Sequence, residues 1–487
     1  MPEIISGTLD LWLQHGSSFA IGNFSRRARE PGYEANKLKL QMDEDLPLLS
    51  RSPSATDESQ TITKPSKTLL RRYVTVAVIL VSCFMNYVCI YIPSPFYPQI
   101  AAKRKGSKAD TEVGVMVGSM QLSAAFVSLY IGRYLNRLGV RFLVTSGVFL
   151  VGGCTVIFGF LEYVKEWSPF IGLSIVIRFV MGFGEAAFDA TSIALLLGMF
   201  PSHTATIWGL YEFAVTLGLV SGAPLGGFLY HAEGFYFPFV IIGGVLLLCT
   251  PLLWLLLSDC HSLIESTDDD QTDCDQSVSL LQLLKIPSIV LVLLNVSTCY
   301  AALALCQTSA AMFLYKEFGW GTTHIGLIFL NAGAVYLVFT VVFGLVVDAT
   351  NPRIVMIIGL LVDTCAMMIF GPSFVFSFLS PKPWCVYVGA TLWGFGVAMV
   401  VISSGPDVIL TAISRGYEKN MALNGAVSGL VLAAIFLSGT LGAAIGGGLT
   451  AAMNFRISSS VFGFASFLLM IVTTVVTVVN AIMSRRQ

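Results

Sequence analysis

Long apolar runs recur along the chain, and they constrain its fold more than any other feature. Twelve such runs occur, each close to the ~20 residues that a helix needs to cross a bilayer. A membrane β-barrel would instead need strands of about ten residues with alternating polarity, which the sequence lacks. The sequence therefore predicts an all-α polytopic membrane protein with twelve transmembrane helices. The predicted spans are 73–94, 113–135, 141–162, 169–199, 205–230, 236–257, 287–313, 324–347, 354–376, 384–411, 421–447 and 457–482.

Charged residues avoid these runs. Of the 57 charged residues, 26 fall within residues 1–71 and 258–285. Residues 1–71 mix polar and charged types without a period, which predicts a disordered tail, and 258–285 is predicted to be an acidic linker. The apolar remainder excludes an ordinary soluble enzyme. The net charge of −1 offers no basic surface to nucleic acid.

The loops between the predicted helices carry unequal numbers of Lys and Arg. If the N-terminus is cytoplasmic, 13 basic residues lie on the cytoplasmic side and 8 on the opposite side. Membrane proteins retain basic loops in the cytoplasm. We therefore expect the tail, the linker and both termini to be cytoplasmic.

The chain matches itself when it is shifted by 212 residues. The matching pairs include Gly132 with Gly344, Arg141 with Arg353, Gly147 with Gly359, Gly182 with Gly394, and Gly184 with Gly396. A shift of 220 residues likewise places 222–227 on 442–447. The repeat predicts two parallel six-helix bundles, 72–257 and 286–484, with a binding site between them near the middle of the membrane.

The loop after the second predicted helix contains a recognisable motif. Its residues are Gly132, Asn136, Arg137, Gly139 and Arg141, and the repeat copy keeps Gly344 and Asp348. This pattern resembles the gating motif G-x-x-x-D-R-x-G-x-R of the major facilitator superfamily, with Asn136 in place of the acid. Arg178, Gly182 and Gly184 in helix 4 match a second motif of that superfamily. The resemblance covers residues 72–484.

This resemblance implies the major facilitator fold and a transporter that is not an enzyme and has no cofactor. It also implies that the gating motif holds cytoplasmic helix ends together in one conformation. The neutral amide of Asn136 cannot make a charge-assisted hydrogen bond, so we expect the first-half contact to be the weaker one.

Helix 5 carries glycines at the spacing of the superfamily's antiporter motif, with its proline one place later than usual. The motif residues are Gly209, Gly218, Gly222, Pro224, Gly226 and Gly227. Small residues also let membrane helices pack closely in many proteins. Simple helix packing therefore remains an alternative interpretation.

A narrower resemblance is to the vesicular amine transporters, nearest their vesicular polyamine transporter-like branch. The segments that carry it are 95–98, Glu212 within 208–213, 226–230 and 406–407. The monoamine members have acids in helices 10 and 11, where this chain has none at the corresponding places. The resemblance implies antiport of protons against an amine or polyamine, driven by a proton gradient.

Ionisable residues inside the predicted helices are the best candidates for proton coupling. Arg178, Glu185 and Asp189 fall on one stripe of helix 4, and Glu212 lies at a similar depth on helix 5. Charge at the bilayer centre costs at least about 2.5–3.5 kcal/mol, so these groups should face protein or water. We predict that the acids Glu185, Asp189 and Glu212 bind protons as interacting groups. A structural ion-pair cluster around Arg178 is the alternative.

Substrate binding is predicted at Arg178, Glu212, Tyr87, Tyr300 and Gln307. Aromatic rings and amides can hold an organic cation by cation–π contact and hydrogen bonds, although helix packing would explain any one of them. Two further acids lie in the predicted helices 9 and 10. Helix 9 is often on the lipid side in the superfamily that this chain resembles, and a transport role and a structural role of Asp363 both stay open. Asp407 lies near the cytoplasmic end of helix 10, where a solvated gate residue is one interpretation.

The tail contains a possible sorting signal. Glu44, Leu48 and Leu49 fit the acidic dileucine pattern that sorting adaptors bind, which would suit a vesicle or lysosome-related membrane. Cys260, His261 and Cys274 match no zinc spacing, so we expect no metal site.

Three functions are compatible with the sequence. The first is proton/organic-cation antiport by alternating access. The second is uniport or proton symport of a neutral or anionic solute that Arg178 anchors. The third is a transporter-like sensor or scaffold that acts through its tail.

Overall fold

The structure, a computed structural model, describes residues 67–105, 109–258, 278–373 and 382–484. The predicted tail up to residue 66, with Glu44, Leu48 and Leu49, and most of the acidic linker lie outside the described residues. Within the described ranges, twelve helices are long and apolar enough to cross a membrane, as the sequence predicted.

These helices are labelled α1 to α12 in chain order. They are α1 Lys67–Tyr91, α2 Ala109–Leu138, α3 Val140–Gly159, α4 Trp167–Met199, α5 Thr204–Glu233, α6 Tyr236–Leu256, α7 Pro287–Phe318, α8 Thr322–Ala349, α9 Pro352–Phe370, α10 Pro383–Ile413, α11 Met421–Met453 and α12 Phe455–Ser484. Shorter helices cover Tyr97–Lys105, Phe160–Tyr163 and Leu280–Leu284.

Local sequence explains several helix ends. Proline occupies the first turn of α7, α9 and α10, where its missing N–H would have had no helical partner anyway. The side chain of Asn420 accepts the Leu423 N–H at 2.9 Å and caps α11. The ninth span was predicted to reach residue 376, but α9 ends at Phe370, because Pro372 follows closely and disfavours helix before it.

Helices α1–α6 form the first half of the bundle and α7–α12 the second, and corresponding glycines make corresponding crossings. A Cβ atom at Gly147 would lie 2.7 Å from the Phe188 backbone nitrogen, where α3 crosses α4. A Cβ atom at Gly359 would lie 3.1 Å from the Val400 nitrogen, where α9 crosses α10. The repeat in the sequence is therefore a repeat of helix packing.

The two halves meet along two pairs of helices. Gly132 on α2 packs against α11, where an added Cβ would lie 2.8 Å from the Gly425 carbonyl oxygen. Gly209 on α5 packs against Thr340 on α8. We call the end of the bundle that carries residues 132–141, 200–203 and 344–353 the motif end. The opposite end, which carries Phe160–Tyr163 and the start of α4, is the far end.

Candidate functional site

The polar stripe of α4 lies inside the protein, as its spacing predicted. Arg178, Glu185 and Asp189 are only 5%, 4% and 0% exposed. Protein encloses almost all of their surface, so nearby side chains, or water and ligands inside the bundle, must satisfy their polar atoms.

Asp189 is held by two tyrosines of the first half. The Tyr87 hydroxyl on α1 donates to one carboxylate oxygen at 2.8 Å, and the Tyr211 hydroxyl on α5 donates to the other at 2.7 Å. Gly218 positions this arrangement, because a Cβ there would lie 2.7 Å from the Cβ of Tyr87. Both oxygens of Asp189 thus have a neutral donor.

Glu212 lies at the junction of the two halves and is 4% exposed. Its Oε2 accepts a hydrogen bond at 3.0 Å from the hydroxyl of Tyr336, which belongs to α8 in the second half. The hydroxyl group of Tyr300 on α7 interacts with that of Tyr336. A carboxyl group of the first half is therefore hydrogen-bonded to one tyrosine of the second half, which interacts with another.

Asp189 on α4 and Glu212 on α5 are the two acids that the sequence predicts to lie at a similar depth. They interact electrostatically, and Tyr211, which binds Asp189, directly precedes Glu212. Each carboxyl has its own tyrosine partners, so they do not share one hydrogen bond. No basic side chain in the described ranges forms an ion pair with either of them. A proton or a bound cation can supply the missing positive charge.

Arg178 is not the centre of an ion-pair cluster in the described part of the chain. Its NH1 group donates to the Ile90 carbonyl oxygen at 3.0 Å and contacts the sulfur atoms of Met120 and Met181. Its guanidinium lies 5.3 Å from the centre of the Phe158 ring. The ion-pair alternative therefore does not describe this site.

The remaining predicted binding residues differ in their surroundings. Tyr87 and Tyr300 interact with the acids as described above. Gln307 is exposed and lies in Cys306–Ala310, one turn of π-helix inside α7. Such turns often occur at functional sites. Nothing in the described residues connects Gln307 with Glu212.

Both further acids lie inside the protein, so Asp407 is not a solvated gate residue. Asp363 on α9 does not face lipid, because it is fully buried and accepts a hydrogen bond from Ser466 of α12 at 2.8 Å. Asp407 is not solvated, because it forms an ion pair with Arg353 of α9 at 3.1 Å. Each acid is buried, and its polar partner is distant in the sequence.

The second copy of the gating motif joins the two halves at the motif end. Asp348 accepts hydrogen bonds from the backbone N–H groups of Ala205 at 2.8 Å and Thr206 at 2.9 Å, in the first turn of α5. Gly344 allows this approach, because a Cβ there would lie 2.9 Å from the Thr206 Cα. A negative charge at a helix N-terminus is stabilised by the helix dipole.

The first copy lacks this charged contact. Asn136 and Arg137 are exposed, and Arg137 lies 5.9 Å from the ring centre of Tyr134. Gly139 adopts a φ of +83° between α2 and α3, a conformation that favours glycine. Arg141 donates to the Trp254 carbonyl oxygen of α6 at 2.9 Å.

The glycines of the antiporter motif line two faces of α5. Gly209 packs on α8, whereas Gly218, Gly222 and Gly226 pack on α1 and the residue that follows it. Gly227 has only a Pro95 carbon 3.9 Å from its added Cβ, and Pro224 lies exposed inside the helix. Close packing accounts for four of the six motif residues.

Comparison with known proteins identifies the family. Residues 79–412 match the family model described as Major Facilitator Superfamily. The chain belongs to the major facilitator superfamily. Like its homologues, it is a multi-pass membrane protein for transport of small molecules and not an enzyme, and superfamily members need no cofactor.

Two curated relatives from this superfamily cover most of the chain. It is 29% identical to the MFS-type transporter SLC18B1 of Rattus norvegicus over 412 residues, which are 84% of this chain and 87% of that protein. It is 22% identical to the chromaffin granule amine transporter of Homo sapiens over 409 residues, 82% of this chain and 71% of that protein. The resemblance to amine transporters that the motifs indicated is confirmed.

Solved structures show the same superfamily fold. The crystal structure of the human organic anion transporter MFSD10 has a TM-score of 0.65 at 13% identity, and the alignment covers 84% of this chain and 100% of that one. The proton:xylose symporter XylE, bound to 6-bromo-6-deoxy-D-glucose, gives 0.65 at 16% identity, with 82% and 94% covered.

Sequence reasoning missed three residues of this superfamily member. Tyr211 and Tyr336 hold the acids, and Lys419 donates to the Pro201 carbonyl oxygen at 2.5 Å across the motif end. The position of Tyr211 directly before Glu212 was a usable signal. For Tyr336 and Lys419 the sequence holds no comparable signal, because their partners lie 124 and 218 residues away.

Proposed function

We propose that the protein exchanges protons for an organic cation, an amine or a polyamine, by alternating access of its two halves. One observation carries the proposal. Glu212 is a buried acid between the halves, and the described residues give it a tyrosine hydroxyl but no positive charge. An uncompensated buried carboxylate is costly, so this site favours a proton or a cationic ligand and can alternate between them.

The neighbouring side chains suit an organic cation. Tyr336 hydrogen-bonds to the acid and Tyr300 interacts with Tyr336, and the aromatic rings of tyrosines attract ammonium groups. Asp189 is a second acid close by, which would suit a cargo with more than one amine. The similarity to the chromaffin granule amine transporter also supports an amine cargo and a vesicle or lysosome-related membrane.

Uptake into proteoliposomes tests the proposal. An acidic interior should drive accumulation of a labelled polyamine, and dissipation of the pH gradient should stop it. Glu212→Gln should abolish the uptake that depends on the gradient, because the amide can neither bind a proton nor pair with a cation. Glu233→Gln is the matched control, since Glu233 is an exposed residue at the end of the same helix. Unchanged uptake in Glu212→Gln would refute the coupling role.

An anionic or neutral cargo anchored by Arg178 is the second candidate. The Nε atom of Arg178 has no hydrogen-bond partner in the described part of the chain, which leaves it a donor for a ligand. Competition separates the two candidates, because inhibition by carboxylates but not by amines would favour Arg178. A sensor role is separable too, since transport that survives deletion of residues 1–66 would argue against it.

A further inference from the structure

A small cavity opens between α1, α2 and α4 within the first half. Its volume is about 100 Å³, and the polar side chains that line it are Tyr91, Ser94, Tyr97, Gln121, Arg178 and Glu185. Neither Glu212 nor Tyr336 or Tyr300 lines it. The cavity is therefore a separate space from the cluster at the junction of the halves.

The cavity leads from the far end towards the middle of the protein. Ser94, in the segment after α1, is exposed, whereas Glu185 is 4% exposed and is the nineteenth of the 33 residues of α4. At 1.5 Å per residue, Glu185 lies about 27 Å along α4 from its start at the far end. A carboxyl near mid-membrane thus borders a space that begins near the protein surface.

Glu185 has no protein donor within the described residues. Its Oε2 is enclosed without a hydrogen-bond partner, although Arg178 lies on the same helix face. Leaving a buried charged acceptor unsatisfied costs more than the ~1–3 kcal/mol of a neutral one. Water in the cavity and a proton on the carboxyl group would both relieve this cost.

The cavity suits water. A site needs about 10–15 Å³ of accessible volume per water molecule and two to four polar partners for each, so this cavity can hold several. Serine, tyrosine, glutamine, arginine and glutamate side chains provide those partners. An extended organic amine would need a larger space, since ligand pockets usually enclose about 300–1,000 Å³.

We propose that this cavity is a water-filled path by which protons reach Glu185 from the far end, separate from the place where cargo binds. A hydronium ion in the cavity transfers its proton to the Glu185 carboxylate, one O–H bond forms as another breaks, and water remains. Protonation of Glu185 then removes its electrostatic repulsion of Asp189, one helical turn away. The inference rests on the proposed proton exchange and gives protons and cargo separate entry routes.

The groups that face Glu185 are few. Arg178 and Asp189 act on it from its own helix, and Tyr87 and Tyr91 face it from α1. Among the described residues, α2, α3 and α11 bring no charged side chain to it. A change of protonation at Glu185 therefore alters first the electrostatic surroundings of Asp189 and its tyrosines.

Infrared difference spectroscopy of the reconstituted full chain tests the path without measuring transport. A carboxylic C=O band that titrates with pH should disappear in Glu185→Gln and persist in Glu166→Gln, which changes an exposed acid at the start of the same helix. Saturating spermine should perturb a different band, the one lost in Glu212→Gln. If no titrating band is lost in Glu185→Gln, or if spermine shifts that band, the inference is wrong.

A second variant tests the access route itself. Ser94→Trp should fill the entrance and slow deuterium exchange of the Glu185 carboxyl about tenfold, whereas Ser94→Ala should leave the exchange rate unchanged. Equal rates in both variants would overturn the path. If spermine perturbs no band while Glu185 still titrates through an entrance that Ser94→Trp blocks, the path stands and the cargo assignment fails.

Discussion

The two copies of the gating motif make the same helix crossing but differ in charge. Gly132 brings α2 against α11, and Gly344 brings α8 against α5. At the second copy, Asp348 accepts two backbone hydrogen bonds from the start of α5. At the first copy, Asn136 is exposed and bonds to none of the described residues. Packing is repeated between the halves, and the charged contact is not.

The arginines of the two copies differ in the same way. Arg353 forms an ion pair with Asp407 and a hydrogen bond to Thr411. Arg141 instead lies 3.7 Å from the centre of the Trp254 ring, on α6 of its own half. The 212-residue shift pairs Asp407 with a leucine, so the first half has no acid at that place. Charge therefore strengthens the α5–α8 contact through Asp348, whereas glycine packing brings α2 against α11.

The largest expected effect is that of Asp407→Asn. The change leaves Arg353, whose side chain is only 14% exposed, without its counter-charge. Removal of one partner from a buried pair costs about 3 kcal/mol or more of unfolding free energy. Denaturant unfolding followed by tryptophan fluorescence measures the loss. Arg141→Gln is the comparison at the other copy and should cost under about 1 kcal/mol; equal losses would show that the two arginines are equivalent after all.

The next effect is that of Asp348→Asn on the closed motif end. The amide keeps an acceptor but loses the charge that favours the start of α5. The amide oxygen can accept only one of the two backbone hydrogen bonds. Loss of one hydrogen bond to a charged group costs the closed state about 1.5 kcal/mol, so the open population should rise about tenfold. Spin labels at the exposed residues Leu138 and Ser414, one in each half, report the separation. A distance distribution identical to that of the unchanged protein would contradict the role of Asp348.

These effects also show what sequence could and could not predict. The spans are a property of hydropathy along the chain and were confirmed, and the glycine spacing of the repeat matches corresponding helix crossings. The partners of the acids depend on which helix faces meet, and no period in the sequence encodes that. The sequence left the surroundings of Asp407 and Asp363 open, because Arg353 lies 54 residues from Asp407 and Ser466, the partner of Asp363, lies on α12.

A smaller effect is expected when the missing acid is restored. Asn136→Asp places a negative charge near the start of α11, which should favour the closed motif end. A charge at a helix N-terminus contributes about 0.3–1 kcal/mol, and Asn420 already caps α11, so the closed population should rise about twofold to fivefold. The same labels measure it. A rise larger than the fall caused by Asp348→Asn would mean that α2 and α11 control opening.

The smallest effect concerns Lys419, which contacts Pro201 beyond the end of α4. Partial burial lowers the pKa of the Lys419 ammonium, and the charge of Asp348 opposes the shift. The closed arrangement therefore holds this proton less tightly than an open one in which the lysine regains its usual pKa of 10.5. At neutral pH the lysine is charged in both states, so Lys419→Gln should change the populations by at most about twofold.

The sign of its pH dependence follows from the same shift. As pH rises through the lowered pKa towards 10.5, the closed state loses its proton first, so the closed population should increase. Lys419→Gln should remove this increase, and Lys419→Arg should also remove it, because arginine stays charged throughout. The spin-label distances, measured from neutral to alkaline pH in all three proteins, give the comparison. An alkaline increase that survives in both variants would assign the titration to another group and leave Asp348 as the charged contact that distinguishes the two motif copies.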